Sequence, residues 1–129
     1  MLWWSESLKT GNPKVDTQHK KIFELGTGVL DLSPDSSKET VQKTFQELID
    51  YTKKHFTEEE KMMADNGYSS LREHQSLHRE FIGKLHNILR DFQATGQREE
   101  NIDNLKLLMV DWLINHINEA DKNFIQTLQ

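Results

Sequence analysis

Apolar residues recur along the chain at alternating three- and four-residue steps, the spacing that gathers side chains on one face of an α-helix. Four such stripes are present. The first runs Val15, His19, Ile22, Gly26, Val29, and the second runs Val41, Phe45, Leu48, Thr52, His55, Glu59, Met62. The third runs Leu71, His74, His78, Phe81, Leu85, Ile88, Phe92, and the fourth runs Leu105, Met109, Trp112, His116. Turn signals bound them. Asn12-Pro13 suits an N-cap followed by proline at the first helical position. "LSPDSS" separates the first two segments, and Ser36-x-x-Glu39 reads as a capping box. Asn66-Gly67 is expected to end the second, and Ser70-x-x-Glu73 offers a capping box for the third. Gly96 punctuates the last link, with Asn101 as the expected cap of the fourth. Short links imply antiparallel neighbours. The predicted fold is all-α: an antiparallel, up-down-up-down four-helix bundle over 13–128. An N-terminal arm over 1–12, carrying Trp3 and Trp4, packs on it, and 1–129 forms a single domain.

Five histidines and one glutamate occupy stripe positions that the pattern alone would give to leucine. They fall early in the first helix, late in the second, early in the third and late in the fourth. In an up-down-up-down bundle all four places are at one end, roughly 6–18 Å in from it at about 1.5 Å per residue. Four separate anomalies become one buried cluster.

Composition narrows what such a cluster can be. Hydrophobic residues make up 35% and charged residues 29%, polar but sufficient for a helical core. With Gly 6 and Pro 2, an all-β fold is disfavoured. The net charge of −5 and the lack of any basic run beyond Lys20-Lys21 or Lys53-Lys54 argue against nucleic acid and anionic membranes as partners. The absence of cysteine excludes disulfides, thiolate metal sites and cysteine nucleophiles. "MLWWSESLK" does not read as a signal peptide, and no segment approaches the ~20 apolar residues of a membrane span, so a cytoplasmic protein is expected.

One histidine on an apolar face is ordinary, and one polar pair at (i, i+4) is more ordinary still. Six such groups at one level are different. Each uncompensated buried polar group costs about 1–3 kcal/mol, and an unpaired carboxylate costs more. Together that approaches the ~5–15 kcal/mol stability of a small domain. A divalent metal resolves the deficit. His74 and His78, four residues apart on one face, can chelate one ion. Five imidazoles plus Glu59 exceed the four ligands of a closed zinc site, so two ions bridged by carboxylate fit better, and this ligand mixture suits iron. Asp121 is the candidate second carboxylate. It lies five residues beyond His116, a step that turns about 140° on an ideal helix, so a wider helical turn or a sideways reach is expected there. The competing di-iron pattern uses Glu-x-x-His on two helices. No Glu-x-x-His occurs in the chain. With fewer anionic ligands, high-valent iron is less supported, which favours reversible binding over oxygen activation.

The order His, His-x-x-x-Glu, His-x-x-x-His, His-x-x-x-x-Asp resembles the hemerythrins, and among them the single-domain bacterial kind. The resemblance spans nearly the whole chain through "VDTQHKKIF", "HFTEEEKMM", "NGYSSLREHQSLHREF" and "WLINHINEADKNF". It implies two iron ions per chain, with His74, His78 and His116 on one and His19 and His55 on the other. Glu59, Asp121 and a solvent-derived oxo or hydroxo group would bridge them. It further implies reversible dioxygen binding for storage, delivery or sensing, with azide and similar small anions as probes. Protein groups would serve as ligands and walls, and the protein would not be an enzyme. The family places apolar residues at Trp112, Leu113 and Ile117, which with Phe56 are candidate walls of an oxygen pocket. For Phe56 and Trp112 core packing is the favoured main role.

His86, off the third stripe, is expected at the surface. In the run Glu58 to Glu60, Glu59 alone is expected to turn inward. Phe124 stands where some family members carry tyrosine, and Met62 and Met63 read as core filler. Two other functions are compatible with the same cluster. One is a di-iron oxidase, peroxidase or nitric-oxide-processing enzyme; the other is a metal-stabilised interaction module. The chain ends at "FIQTLQ" with no appended signalling domain, which disfavours a covalent sensor but leaves an unknown protein partner open. A monomer or weak homo-oligomer is expected.

Overall fold

A computed structural model of the chain describes residues 4–33, 35–95 and 99–128. Gly96 and Trp3, singled out above, lie outside the described residues. Helix α1 (Pro13–Leu30) opens as expected, with the Asn12 side chain accepting from the amides of Lys14 and Val15. Helix α2 (Lys38–Asp65) is capped by Ser37, whose Oγ accepts from the Thr40 amide at 3.1 Å. The cap therefore falls one residue later than the expected Ser36, and Thr40 rather than Glu39 stands opposite it. Ser36 instead closes a turn onto the Ser33 carbonyl.

At the end of α2, Gly67 adopts φ +66°, a left-handed conformation costly for residues with a Cβ. The Gly67 amide bonds the Ala64 carbonyl and the Tyr68 amide bonds that of Met63, which satisfies the last carbonyls of the helix. The chain reverses there into α3 (Leu71–Thr95), whose His74 amide donates to Ser70, the residue expected to open it.

The fourth helix runs unbroken over residues 99–126, but not as a regular α-helix. It comprises α4 (Glu99–Leu107), a π-helical stretch Leu108–Leu113, α5 (Ile114–His116), a second π-helical stretch Ile117–Asp121, and α6 (Lys122–Gln126). Asn101 lies inside α4 and is buried rather than capping it. Its side-chain amide donates to the Thr95 hydroxyl at 2.8 Å and reaches the Asp91 carbonyl, tying α4 to the end of α3.

The order of layers reverses from one helix to the next. Along α1 come Val15, then His19, then Ile22 and Phe23. Along α2 come Phe45 and Leu48, then His55 and Glu59, then Met63. Helix α3 repeats the first order with His74 and His78 before Phe81 and Leu85. The fourth helix repeats the second, with Leu105 and Met109, then His116 and Asp121, then Phe124. This is the antiparallel bundle that the stripes predict. A polar layer lies between the main apolar core and an end cap of Val15, Met63, Phe124 and Ile125. Each fully buried large side chain in these layers contributes about 1.5–3 kcal/mol.

Three stripe positions differ. Met63 is buried and Met62 only partly so, and Leu71 packs at the edge of the end cap. In the fourth helix the first π stretch shifts the register by one. Leu113 takes the inward place and Trp112 moves to the flank. Gly26 lets the Met109 side chain pack closely, since a Cβ there would come 2.6 Å from Met109 Cε and the flexible thioether would have to shift.

The N-terminal arm folds back on the bundle. Leu8 is buried in the main core and Trp4 packs against Phe23 at 6.3 Å between ring centroids. Lys122 Nζ donates to the Ser7 carbonyl at 2.6 Å. Among the described residues, no helix is long and apolar enough to cross a membrane.

Candidate metal centre

The polar layer is built from the seven side chains that the sequence singles out. His19 comes from α1, His55 and Glu59 from α2, His74 and His78 from α3, His116 from α5, and Asp121 from the end of the second π stretch. None is more than 6% exposed. The structure gathers them into two overlapping groups whose ligand atoms lie within 4.8 Å of one another: Glu59, His74, His78, His116 and Asp121, and His19, His55, Glu59 and Asp121. His86 belongs to neither and is exposed on α3.

The two carboxylates divide their oxygens between the groups. Glu59 Oε1 lies 3.0 Å from His74 Nε2 and 3.2 Å from His78 Nε2. Asp121 Oδ1 lies 2.8 Å from His74 Nε2 and 3.1 Å from His116 Nε2. The other oxygens turn the opposite way. Glu59 Oε2 is 3.5 Å from His55 Nε2, and Asp121 Oδ2 is 3.0 Å from His19 Nε2. These second contacts are near but not aligned as hydrogen bonds. His19 Nε2, His55 Nε2, Glu59 Oε2 and Asp121 Oδ2 are all buried without a hydrogen-bond partner. Protein interiors rarely tolerate four such orphans side by side. On the other side, His78 Nε2 and His116 Nε2 face each other at 3.1 Å.

The donor set of imidazole and carboxylate, with lone pairs converging on two points, fits divalent metal. The π turn Ile117–Asp121 supplies the wider winding that the five-residue step from His116 demands.

Charges in the layer are mutually compensated in the metal-free chain. Burial pushes the Asp121 carboxyl up, but the neighbouring His116, together with His19 and His74, holds it well below the usual carboxylate range. Burial and the Asp121 charge likewise push Glu59 up, and the imidazoles of His55, His74 and His78 beside it outweigh them and hold it low. Burial disfavours the charged form of His74, yet hydrogen bonds to Asp121 and Glu59 raise it from 6.5 to about 9. A proton on His74 thus neutralises part of the carboxylate charge where metal would otherwise do so.

Outside this layer the structure corrects one expectation and adds residues that sequence reasoning missed. Glu58 and Glu60 are not simply solvated. His78 donates from Nδ1 to Glu60 Oε2 at 2.7 Å. His55 donates from Nδ1 to Gln18 Oε1 at 2.6 Å, and Gln18 Nε2 donates to Glu58 Oε2 at 2.7 Å. Both bonds fix the tautomer that leaves Nε2 free to face the centre. The available signal was positional, since all three acceptors sit within one turn of a candidate ligand on a facing or shared helix.

Of the candidate pocket walls, Phe56 stacks parallel on His78 with ring centroids 3.7 Å apart, and Trp112 stacks on His116 at 4.8 Å. Both rings therefore lie against the three-histidine group. Leu113 and Ile117 are buried in the main core beside the layer. Phe124 is buried in the end cap against Tyr68.

Comparison with known proteins agrees with this architecture. Residues 10–128 match the family model "Hemerythrin HHE cation binding domain". A bacteriohemerythrin of Pseudomonas aeruginosa is 34% identical over 128 residues, covering 99% of this chain and 82% of the relative. A myohemerythrin of Sipunculus nudus is 36% identical over 118 residues, covering 92% of this chain and 86% of its own. A crystal structure of wild-type hemerythrin superposes with a TM-score of 0.82 at 29% identity, covering 99% of this chain and 98% of that one. The four-helix frame, the polar layer at one end of it and these matches along nearly its whole length make the chain a member of the hemerythrin family.

Proposed function

We propose that the chain binds dioxygen reversibly at a pair of iron ions, as a single domain in the cytoplasm. His74, His78 and His116 hold one ion, His19 and His55 the other, and Glu59 and Asp121 span both. The observation that carries this reading is the division of each carboxylate, with Oε1 and Oδ1 towards the three-histidine group and Oε2 and Oδ2 towards the two-histidine group. The hemerythrin family is a di-iron, oxygen-binding one, and its members matched here are binding proteins and not enzymes.

Paired ferrous ions, when bound, supply the electrons by which dioxygen is held and then released. The chain's residues do the rest. Three imidazoles would hold one ion and two the other, so the two-histidine side supplies fewer protein ligands and would leave room there for dioxygen. Stacking of Phe56 on His78 and Trp112 on His116 locks the rings of the three-histidine side. Leu113 and Ile117, fully buried near His116, exclude water from the layer. No step requires a protein acid or base.

The test is an optical spectrum of ferrous-loaded, anaerobic protein before and after oxygen, followed by removal of oxygen. A new absorption band that appears and then disappears supports the reading. Sustained consumption of an electron donor would establish an oxidase or peroxidase in its place, and a centre inert to oxygen and azide would leave a structural metal.

A further inference from the structure

Two of the ligand imidazoles are backed by different acceptors. His78 Nδ1 meets the carboxylate of Glu60 at 2.7 Å, whereas His55 Nδ1 meets the neutral amide oxygen of Gln18 at 2.6 Å. Gln18 cannot turn its amide over without loss, because its Nε2 donates to Glu58 Oε2 at 2.7 Å. Its oxygen is thereby committed to His55. The acceptors are half-buried, so solvent only partly screens them.

A charged acceptor draws an imidazole N–H more strongly than a neutral one, and this raises the donor strength of the opposite nitrogen. We propose that Glu60 and the Gln18–Glu58 pair are positioning residues that make the two halves of the centre electronically unequal. Glu60 makes His78 the stronger donor and so favours the oxidised state of the three-histidine ion. Gln18 holds His55 in the same tautomer without that charge, which keeps the two-histidine ion comparatively electron-poor. The inference rests on the paired-iron reading above and adds to it a difference that the ligand set alone does not supply. The carboxylate of Glu58 is set one residue back, behind the amide, so its charge reaches His55 only through Gln18.

Two variants separate electronics from packing. Glu60→Gln keeps the shape and an acceptor oxygen but removes the charge. The double variant Gln18→Glu with Glu58→Gln reverses the polarity of the other pair, placing the carboxylate on His55 and the amide behind it. Both are expected to retain two irons per chain. The midpoint potential of the centre should rise in Glu60→Gln and fall in the double variant. In the metal-free chain, the His78 Nδ1 proton resonance should shift upfield in Glu60→Gln, a readout that needs no iron. Glu60→Ala, which removes the acceptor altogether, should weaken iron binding by about 10–100-fold.

Unchanged potentials in both variants, with two irons bound, would overturn the proposal. So would a His78 proton resonance indifferent to Glu60→Gln. If wild-type protein holds two irons but fails to take up oxygen, the functional reading falls, while the potentials still decide this one.

Discussion

His116 Nε2 lies 3.1 Å from Asp121 Oδ1 although five residues separate them along the fourth helix. A regular α-helix turns such a pair apart, and the π-helical stretch Ile117–Asp121 turns them together. Deleting the exposed Glu119 converts the spacing to four residues, which an ordinary α-helix already places on one face. That variant should keep two metal ions per chain. Inserting one alanine after Glu119 creates a six-residue step that points the carboxylate away. Its metal content should fall to one ion or none while helicity by circular dichroism stays near that of the parent. Elemental analysis of the pair of variants checks it.

His55 and His86 are both histidines on long helices, and they should behave oppositely. His55 is buried in the two-histidine group, with Nδ1 bonded to Gln18 and Nε2 facing Glu59. His86 is exposed on α3 and belongs to neither group. His55→Ala should lower the iron content towards one per chain and abolish the oxygen-dependent absorption. His86→Ala should leave both unchanged, with stability altered by less than about 0.5 kcal/mol. Loss of iron in His86→Ala would refute this division of roles.

Why the polar layer is legible in the sequence follows from its geometry. Helical period fixes which side chains share a face, and short links fix the helix directions, so His19, His55, Glu59, His74, His78 and His116 converge without knowledge of any contact. Asp121 needed one more step, a helix wound more loosely than usual, and the sequence shows only that the spacing is irregular there. What fails does so for local reasons. Ser37 rather than Ser36 caps α2, because adjacent serines carry the same signal and the turn from Ser33 decides between them. Trp112 and Leu113 exchange places because the π stretch Leu108–Leu113 inserts a shift that no residue type announces. Glu58 and Glu60 read as outward-facing side chains and Gln18 carries no signal of its own, since their roles depend on how α1 and α3 are rotated against α2. Pattern gives faces, not rotations between them.

The metal-free chain should show a distinctive dependence on pH. His74 is raised from 6.5 to about 9 by its carboxylate partners. A group raised in the folded state stabilises fully below its unfolded value and loses that contribution as pH rises through the folded one. Glu59 and Asp121, held low, act in the other direction, stabilising above the usual carboxylate range and less as pH falls through it. The melting temperature of metal-free protein should therefore decline by several degrees between pH 6.5 and pH 9. Protein loaded with iron should lack most of this decline, because metal replaces the His74 proton. Thermal melts at constant ionic strength distinguish the two forms, and proton release on adding ferrous iron at pH 7 gives an independent reading.

Leu113 offers the sharpest test of how the centre is kept dry. It is 1% exposed and sits three residues before His116, in the apolar layer that adjoins the histidines. Leu113→Ala removes several carbons from a packed position and costs about 2–5 kcal/mol if the void persists. A void beside polar groups differs from one in pure hydrocarbon, because water entering it finds hydrogen-bonding partners. The variant should still bind two irons and oxygen, yet autoxidise faster and react faster with azide, since both depend on water or anions reaching the ions. Leu113→Met conserves volume and should change either rate far less. The comparison of three proteins by stopped-flow separates access from stability, because a merely destabilised core would lower the melting temperature without accelerating azide. Equal azide and autoxidation rates in all three would place the barrier elsewhere, with Ile117, buried one residue beyond His116, as the next position to substitute.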